Sequence, residues 1–181
     1  MIRQSDLISD EYLDLQRAMH AAKLPYGNRG AEWTQTVLEV AKRYDVGSIL
    51  DYGSGHGRLA SALREHGYSV REYDPAIEGK DGLPYFADLV VSTDMLEHVE
   101  PDKLDAVLAH MRLLARKAVF VVISTREAQR VLPNGKNAHL IIRDKHWWRQ
   151  RVERSGFRLR KSPRTMPKEM PSKCWIGTLK P

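Results

Sequence analysis

Ile49-Leu50-Asp51-Tyr52-Gly53-Ser54-Gly55-His56-Gly57-Arg58-Leu59 is the stretch on which the fold turns. Ser48 to Asp51 reads as a short buried strand, and Arg58 to His66 reads as a helix stopped by Gly67. Between them Gly53, Gly55 and Gly57 permit a sharp turn and let a ligand approach the backbone closely. Nineteen residues beyond Gly55, at the end of a second predicted strand over Tyr68 to Asp74, stands Asp74. A carboxylate there can accept two hydrogen bonds from the hydroxyls of a ribose. Strand, glycine turn, helix and acid together point to a nucleoside-containing cofactor.

Working outward, residues 5–22 carry Leu7, Ile8, Tyr12, Leu15, Met19 and Ala22 at helical spacing. Residues 25–30 read as a loop, and Ala31 to Tyr44 repeats the helical pattern. Downstream, Ala87 to Ser92 and Lys117 to Ser124 read as strands flanking a helix from Asp102 to Ala115. A helix over Asp144 to Ser155, closed by Gly156, leads to Phe157–Arg160 and Trp175–Leu179. These read as an antiparallel pair joined by the proline-rich residues 163–171. Alternating strands and helices predict an α/β, doubly wound, mostly parallel sheet with an antiparallel C-terminal strand. Ligands of such sheets bind at the carboxyl ends of the strands, where strand order reverses. No repeat or linker divides the chain, so residues 1–181 are expected to form one domain. Residues 1–44 would be N-terminal helices forming a lid, and 45–181 the cofactor-binding core.

Composition narrows the setting. The 181 residues suit one core of ordinary size. The longest apolar run, Ala118 to Ile123, is far too short to span a bilayer, and Met1 to Asp6 holds no apolar signal stretch. The single cysteine, Cys174, excludes an internal disulfide or a cysteine metal cluster, so a reducing cytoplasm is the expected location. The net charge of +6 is unevenly spread: residues 143–181 hold twelve Lys/Arg against three acids, and the other 142 residues sum to −3. That basic segment is either a phosphate-attracting surface or a solvated face.

The dinucleotide fingerprint is G-x-G-x-x-G, with a helix N-terminus meeting a pyrophosphate. Here the spacing is G-x-G-x-G, with Asp51 two residues ahead. This arrangement resembles the first motif of class I S-adenosylmethionine-dependent methyltransferases. Leu83 to Ser92 resembles the family's approach to its fourth strand, and Asp94-Met95-Leu96-Glu97-His98-Val99 its "LEHV" stretch. Asn137-Ala138-His139-Leu140, Trp147-Trp148 and Ser155-Gly156-Phe157 resemble its late helix and following strand. The resemblance covers residues 33–181. It implies that Asp51, Gly53, Gly55 and Gly57 hold the methionine end of S-adenosylmethionine. Asp74 would hold the ribose, and Thr93 and Asp94 would flank the nucleoside. One departure stands out. The family places a helix and a third strand between the ribose acid and the Leu-Pro segment, about 25 residues or more. Only eight residues, Pro75 to Gly82, are present here. That unit is expected to be shortened or missing, leaving Asp81 as the nearby acid for the adenine amine.

For the acceptor, Ser92-Thr93-Asp94-Met95 differs from the Pro-Pro motif of amino-methyltransferases of DNA, and Cys174 does not fit the Pro-Cys nucleophile of cytosine-C5 enzymes. Asp94-x-x-Glu97-His98 with His139 resembles the Glu-x-x-Glu-His pattern of small-RNA 2′-O-methyltransferases and some quinone-pathway O-methyltransferases. The resemblance implies a divalent metal (Mg, Mn or Zn) on Asp94, Glu97, His98 and His139, with Asp94, His98 and His139 catalytic. The alternative is that Glu97 and His98 are helix-start and packing residues, as in metal-free relatives. His56 would line the cofactor pocket, while His20, His66, His110 and His146 read as surface or packing residues. Arg29 would pair with the cofactor carboxylate, cap a helix, or cover the pocket as part of an N-terminal lid. The substrate is either nucleic acid or nucleotide, drawn to the basic segment, or a small molecule enclosed by the N-terminal helices. A cofactor- or partner-binding protein without turnover is the non-catalytic alternative.

Overall fold

The computed structural model describes residues 2–22, 26–27, 29–161 and 172–179. Six strands form one sheet: β1 (Ser48–Tyr52), β2 (Ser69–Tyr73), β3 (Ala87–Thr93), β4 (Ala115–Ser124), β5 (Phe157–Lys161) and β6 (Ser172–Leu179). Their order is β2-β1-β3-β4-β6-β5. The first four are mutually parallel, and β6 runs antiparallel to both β4 and β5. The expected sheet with an antiparallel C-terminal strand is therefore present.

Burial explains why these segments are strands. β1, β3 and the second half of β4 are covered on both faces, so they read as continuous apolar runs instead of alternating ones. β2 alternates because it is the sheet edge. No strand or helix lies between Tyr73 and Ala87, so the additional edge strand that eight residues exclude is missing.

Helices α3 (Thr34–Arg43) and α4 (Arg58–Glu65) cover one face, where Val37, Ile49, Leu63 and Phe120 are buried together. Helices α5 (Leu104–Leu114) and α6 (Lys145–Arg154) cover the other, with Leu50, Val90, Leu108 and Trp148. Trp148 is the core-facing member of the tryptophan pair and is fully buried, whereas Trp147 is partly exposed. The chain leaves central β1 towards β2 and returns to β3 on the other side. The reversal of strand order therefore falls between the carboxyl ends of β1 and β3.

The N-terminal segment departs from the single helix expected over 5–22. It forms α1 (Gln4–Leu7) and α2 (Asp10–Ala21). Ser9 makes the break: its hydroxyl caps α2 by accepting the Tyr12 N–H at 3.2 Å, while donating to Glu100 at 2.6 Å. Ile8, Tyr12 and Met19 then pack on Leu132 and Ala138 of the segment after β4. Residues 29–33 likewise form a 3-10 turn ahead of α3. The proline-rich residues 163–171 lie outside the described residues.

Candidate active site

A cavity of about 820 Å³ opens at the carboxyl ends of β1, β3 and β4, within the size range of small-molecule sites. Its floor is the glycine turn. Gly53 and Ser54 donate their N–H groups to Tyr73 O at 2.8 and 3.1 Å, which clamps the turn to the end of β2. Gly53 and Gly55 have φ of +76° and +51°, in the left-handed region. A Cβ on Gly55 would lie 2.7 Å from Gly27 O, a backbone atom that has little room to yield.

Asp74 lines the cavity as expected, but its carboxylate is already used. One oxygen accepts the Gly55 N–H at 2.9 Å and the other the Ala76 N–H at 3.0 Å. Each oxygen keeps a second lone pair for an incoming hydroxyl. Asp51 is buried at the end of β1 and faces the same cavity, with Oδ2 lacking a partner among the described residues. Burial, with Glu72 adding to it, pushes the Asp51 carboxyl up to about 7.

Gly57 does not line the cavity. At φ +78° it precedes α4, and a Cβ there would meet Glu72 and Lys80 on the outer side of the turn. Asp81 is exposed and away from the cavity wall. His56 is exposed too and stacks edge-on against His20, 5.4 Å between ring centroids. The cavity histidine of this region is His20, whose buried Nδ1 has no partner among the described residues. Helical spacing marked His20 only as a position on α2, so no sequence signal singled it out.

Beyond β3, Thr93 and Asp94 line the cavity and a 3-10 turn carries Leu96–His98. Glu97, His98 and His139 converge there, offering one potential ligand atom each within 4.8 Å of the others. Asp94, expected in the same group, is not among these three. Its backbone is left-handed (φ +49°) and its N–H bonds Val122 O at 2.9 Å, fixing it at the strand end ahead of the turn.

Each member of the trio is oriented through one atom. Glu97 Oε1 accepts the Ser124 N–H at 2.8 Å, and Oε2 has no partner among the described residues. His98 Nδ1 donates to Ala138 O at 2.8 Å and His139 Nδ1 donates to Arg126 O at 2.6 Å, leaving Nε2 as the lone-pair nitrogen of both rings. Burial pushes Glu97 up to about 8, and adjacent Asp94 adds to this. Burial pushes His98 down to about 3, with His139 adding to it. Backbone carbonyls that fix imidazole tautomers are the usual outer shell of histidine metal ligands.

The N-terminal helices supply the remaining wall. Tyr12 Oη donates to His98 O at 2.6 Å, Gln16 Nε2 donates to Tyr12 Oη at 2.6 Å, and Tyr26 Oη donates to Gln16 Oε1 at 2.9 Å. Tyr26 Oη also lies 3.3 Å from His98 Nδ1. Burial raises both phenols, so they stay protonated. Arg29 lines the cavity with its guanidinium held bidentately by Glu32 at 2.8 and 3.0 Å.

The basic segment lies elsewhere. Its described arginines sit on α6 and β5 and before α6, where Arg151 pairs with Asp105 at 2.8 Å and Arg149 with Glu153 at 3.3 Å. Arg143 and Arg151 both approach the Trp147 ring. β5 is the sheet edge farthest in strand order from β2.

Residues 26–167 match the sequence family described as a methyltransferase domain. No curated protein sequence matches the chain. Among solved structures, it is similar to 1,6-didemethyltoxoflavin-N1-methyltransferase of Burkholderia thailandensis, with bound 1,6-didemethyltoxoflavin and S-adenosylhomocysteine. That likeness has 18% identity and a TM-score of 0.67, over 96% of this chain and 91% of that one. Magnesium protoporphyrin IX methyltransferase of Synechocystis PCC 6803, with bound S-adenosylmethionine, is 15% identical at a TM-score of 0.63, over 99% of each chain. Human N-acetylserotonin methyltransferase is 13% identical at a TM-score of 0.58, over 94% of this chain and 56% of that one.

Proposed function

Since the chain belongs to the methyltransferase-domain family and is an S-adenosylmethionine-dependent methyltransferase, we propose that its acceptor is a hydroxyl oxygen of a small molecule, held at Glu97, His98 and His139 by a divalent cation. The convergence of those three side chains, each with one atom tied to backbone and one left over, carries the reading.

The residues present fit the cofactor. Asp51 Oδ2, Ser54 Oγ and His20 Nδ1 are buried polar atoms without partners among the described residues, on three residues that line the cavity. Gly53 and Gly55 let the turn pack closely against Met95 and Gly27, where a Cβ would clash, and keep its backbone at the cavity floor. Asp51 and the glycine turn would hold the methionine end, Asp74 the ribose, and Thr93 and Asp94 the nucleoside. S-adenosylmethionine supplies a methyl carbon on a sulfonium, open to in-line displacement. Alignment is then the chain's main contribution. Tyr12, Gln16 and Tyr26 fix the His98 side of the cavity and exclude water as the N-terminal lid of a single domain.

The trio also fits a divalent cation: two neutral imidazoles and one carboxyl suit Mn or Zn, and Mg less well. Such an ion supplies Lewis acidity that lowers the pKa of a hydroxyl. Here His98 and His139 offer Nε2, Glu97 offers Oε2, and Asp94 adds negative charge beside Glu97. A small acceptor is favoured because α1 and α2 wall the cavity and the basic segment lies on α6 and β5. That segment gives the second reading, phosphate of nucleic acid met away from the cavity, and salt-sensitive oligonucleotide binding would favour it. No helix among the described residues is long and apolar enough to cross a membrane. We propose the cytoplasm as the location, on the single cysteine.

Calorimetry with S-adenosylhomocysteine, then with MnCl2, tests the reading. Binding of both is expected, with turnover on hydroxyl compounds abolished by chelator and restored by manganese. Turnover unchanged by chelator, with no Mg, Mn or Zn copurifying, overturns the metal.

A further inference from the structure

Arg126 and Arg130 stand on the segment that positions His139. Both line the cavity, Arg126 exposed and Arg130 half-buried, and neither guanidinium has a carboxylate or hydrogen-bond partner among the described residues. Their setting differs from that of the third cavity arginine, Arg29, which Glu32 holds on both nitrogens. It also differs from Arg151 and Arg149, which are ion-paired on α6.

The segment is built to hold position. Asn137 clamps it from both sides, Oδ1 accepting the Ala128 N–H and Nδ2 donating to Ala128 O, both at 3.0 Å. Val131 and Asn137 form a β-bridge, and Ala138 N–H bonds Arg130 O at 3.0 Å. Arg126 O receives the His139 Nδ1–H. The backbone that sets the imidazole therefore sets the roots of both arginines. Buried Leu132 and Ala138 tie the segment to Ile8, Tyr12 and Met19 of the N-terminal helices.

Two guanidinium forks on one cavity wall offer bidentate, charge-assisted hydrogen bonds to an oxyanion. Of the other acids lining the cavity, Glu100 is engaged by Ser9, Asp74 by backbone and Glu97 by Ser124, while Asp94 has an interaction of its own and Asp51 is buried at the end of β1. Glu127 faces the same cavity and is exposed. We infer that the acceptor is a small hydroxylated molecule bearing an oxyanion, carboxylate or phosphate ester, which Arg126 and Arg130 bind while its hydroxyl lies at Glu97, His98 and His139. Arg126 and Arg130 are then specificity-determining residues. The inference rests on the acceptor reading given above and adds to it the charge of the substrate.

The test uses the full chain saturated with S-adenosylhomocysteine and manganese, titrated at constant ionic strength with matched pairs. 3,4-Dihydroxybenzoate against catechol probes a carboxylate, and glycerol 3-phosphate against glycerol probes a phosphate ester. In at least one pair the anion is expected to bind about tenfold or more tighter than its neutral partner. The Arg126→Gln/Arg130→Gln double variant is expected to reduce that ratio to near one, with S-adenosylhomocysteine and manganese affinities unchanged. The single variants give intermediate ratios if the double variant folds poorly. Equal affinity within both pairs, binding by no member, or a ratio that survives the substitutions overturns the inference. So does a single-stranded oligonucleotide that binds more tightly than every small probe and loses its affinity in the double variant. Failure of S-adenosylhomocysteine or manganese to bind overturns the acceptor reading itself. Binding of both without anion discrimination overturns only the role of the arginines.

Discussion

The turn after β1 and the turn after β3 each leave a parallel strand at its carboxyl end on left-handed backbone, Gly53 and Gly55 in one and Asp94 in the other. They differ in where their polar groups go. The first is closed on its own neighbourhood, with Gly53 and Ser54 amides on Tyr73 O and the Gly55 amide on Asp74. The second depends on distant chain: Glu97 is set by Ser124, His98 by Ala138, and His139 by Arg126. A backbone cradle is therefore a local property, whereas a side-chain constellation is assembled by packing.

Gly55→Ala should do the most damage, because it forces a Cβ onto left-handed backbone and towards Gly27 O. We expect a loss of a few kcal/mol in stability and of cofactor affinity beyond about a hundredfold, read by thermal unfolding and calorimetry. Survival of full affinity would show that the cradle tolerates a side chain.

Glu97→Gln tests the other turn alone. The amide oxygen can still accept from Ser124, so the fold should stand. We expect turnover to fall by about 10–100-fold and manganese affinity to drop with it, while S-adenosylhomocysteine affinity stays within about twofold. Parallel loss of S-adenosylhomocysteine binding would mean that the two turns are not separable.

A smaller and pH-dependent effect is expected at Asp51. Its folded pKa, raised by burial to about 7, means that the native state keeps a proton which the unfolded chain has already lost. This favourable contribution is complete below the unfolded carboxyl range and is lost as pH rises through about 7. Asp51→Asn should remove that dependence. Relative to wild type, it should gain roughly 2–4 kcal/mol between about pH 4 and pH 8, measured by denaturant titration at both values. S-adenosylmethionine affinity should be weaker in the variant above pH 7, where Asp51 is ionised. An unchanged stability profile would mean that Asp51 titrates as an exposed carboxyl.

Much of the first region was legible in the sequence. Three glycines after an apolar run and an acid at the end of the next strand are local signals, and the missing edge strand followed from a count of eight residues. Even there, spacing did not show that Gly57 faces Glu72 and Lys80, or that Asp74 is held by two amides. Of the second region, Glu97, His98 and His139 were legible as a pattern, while Asp94 was grouped with them by spacing alone.

His20, Tyr26, Arg126 and Arg130 carried no signal that marked them for a cavity wall. By itself, the sequence determined the parallel α/β sheet, its glycine turn and the absent strand, because periodicity, turn chemistry and chain length act over short spans. Only the tertiary structure decided which side chains share the cavity and which atoms remain free. That choice depends on contacts such as Tyr12 to His98 and Ser124 to Glu97, between residues 86 and 27 positions apart, which packing alone brings together.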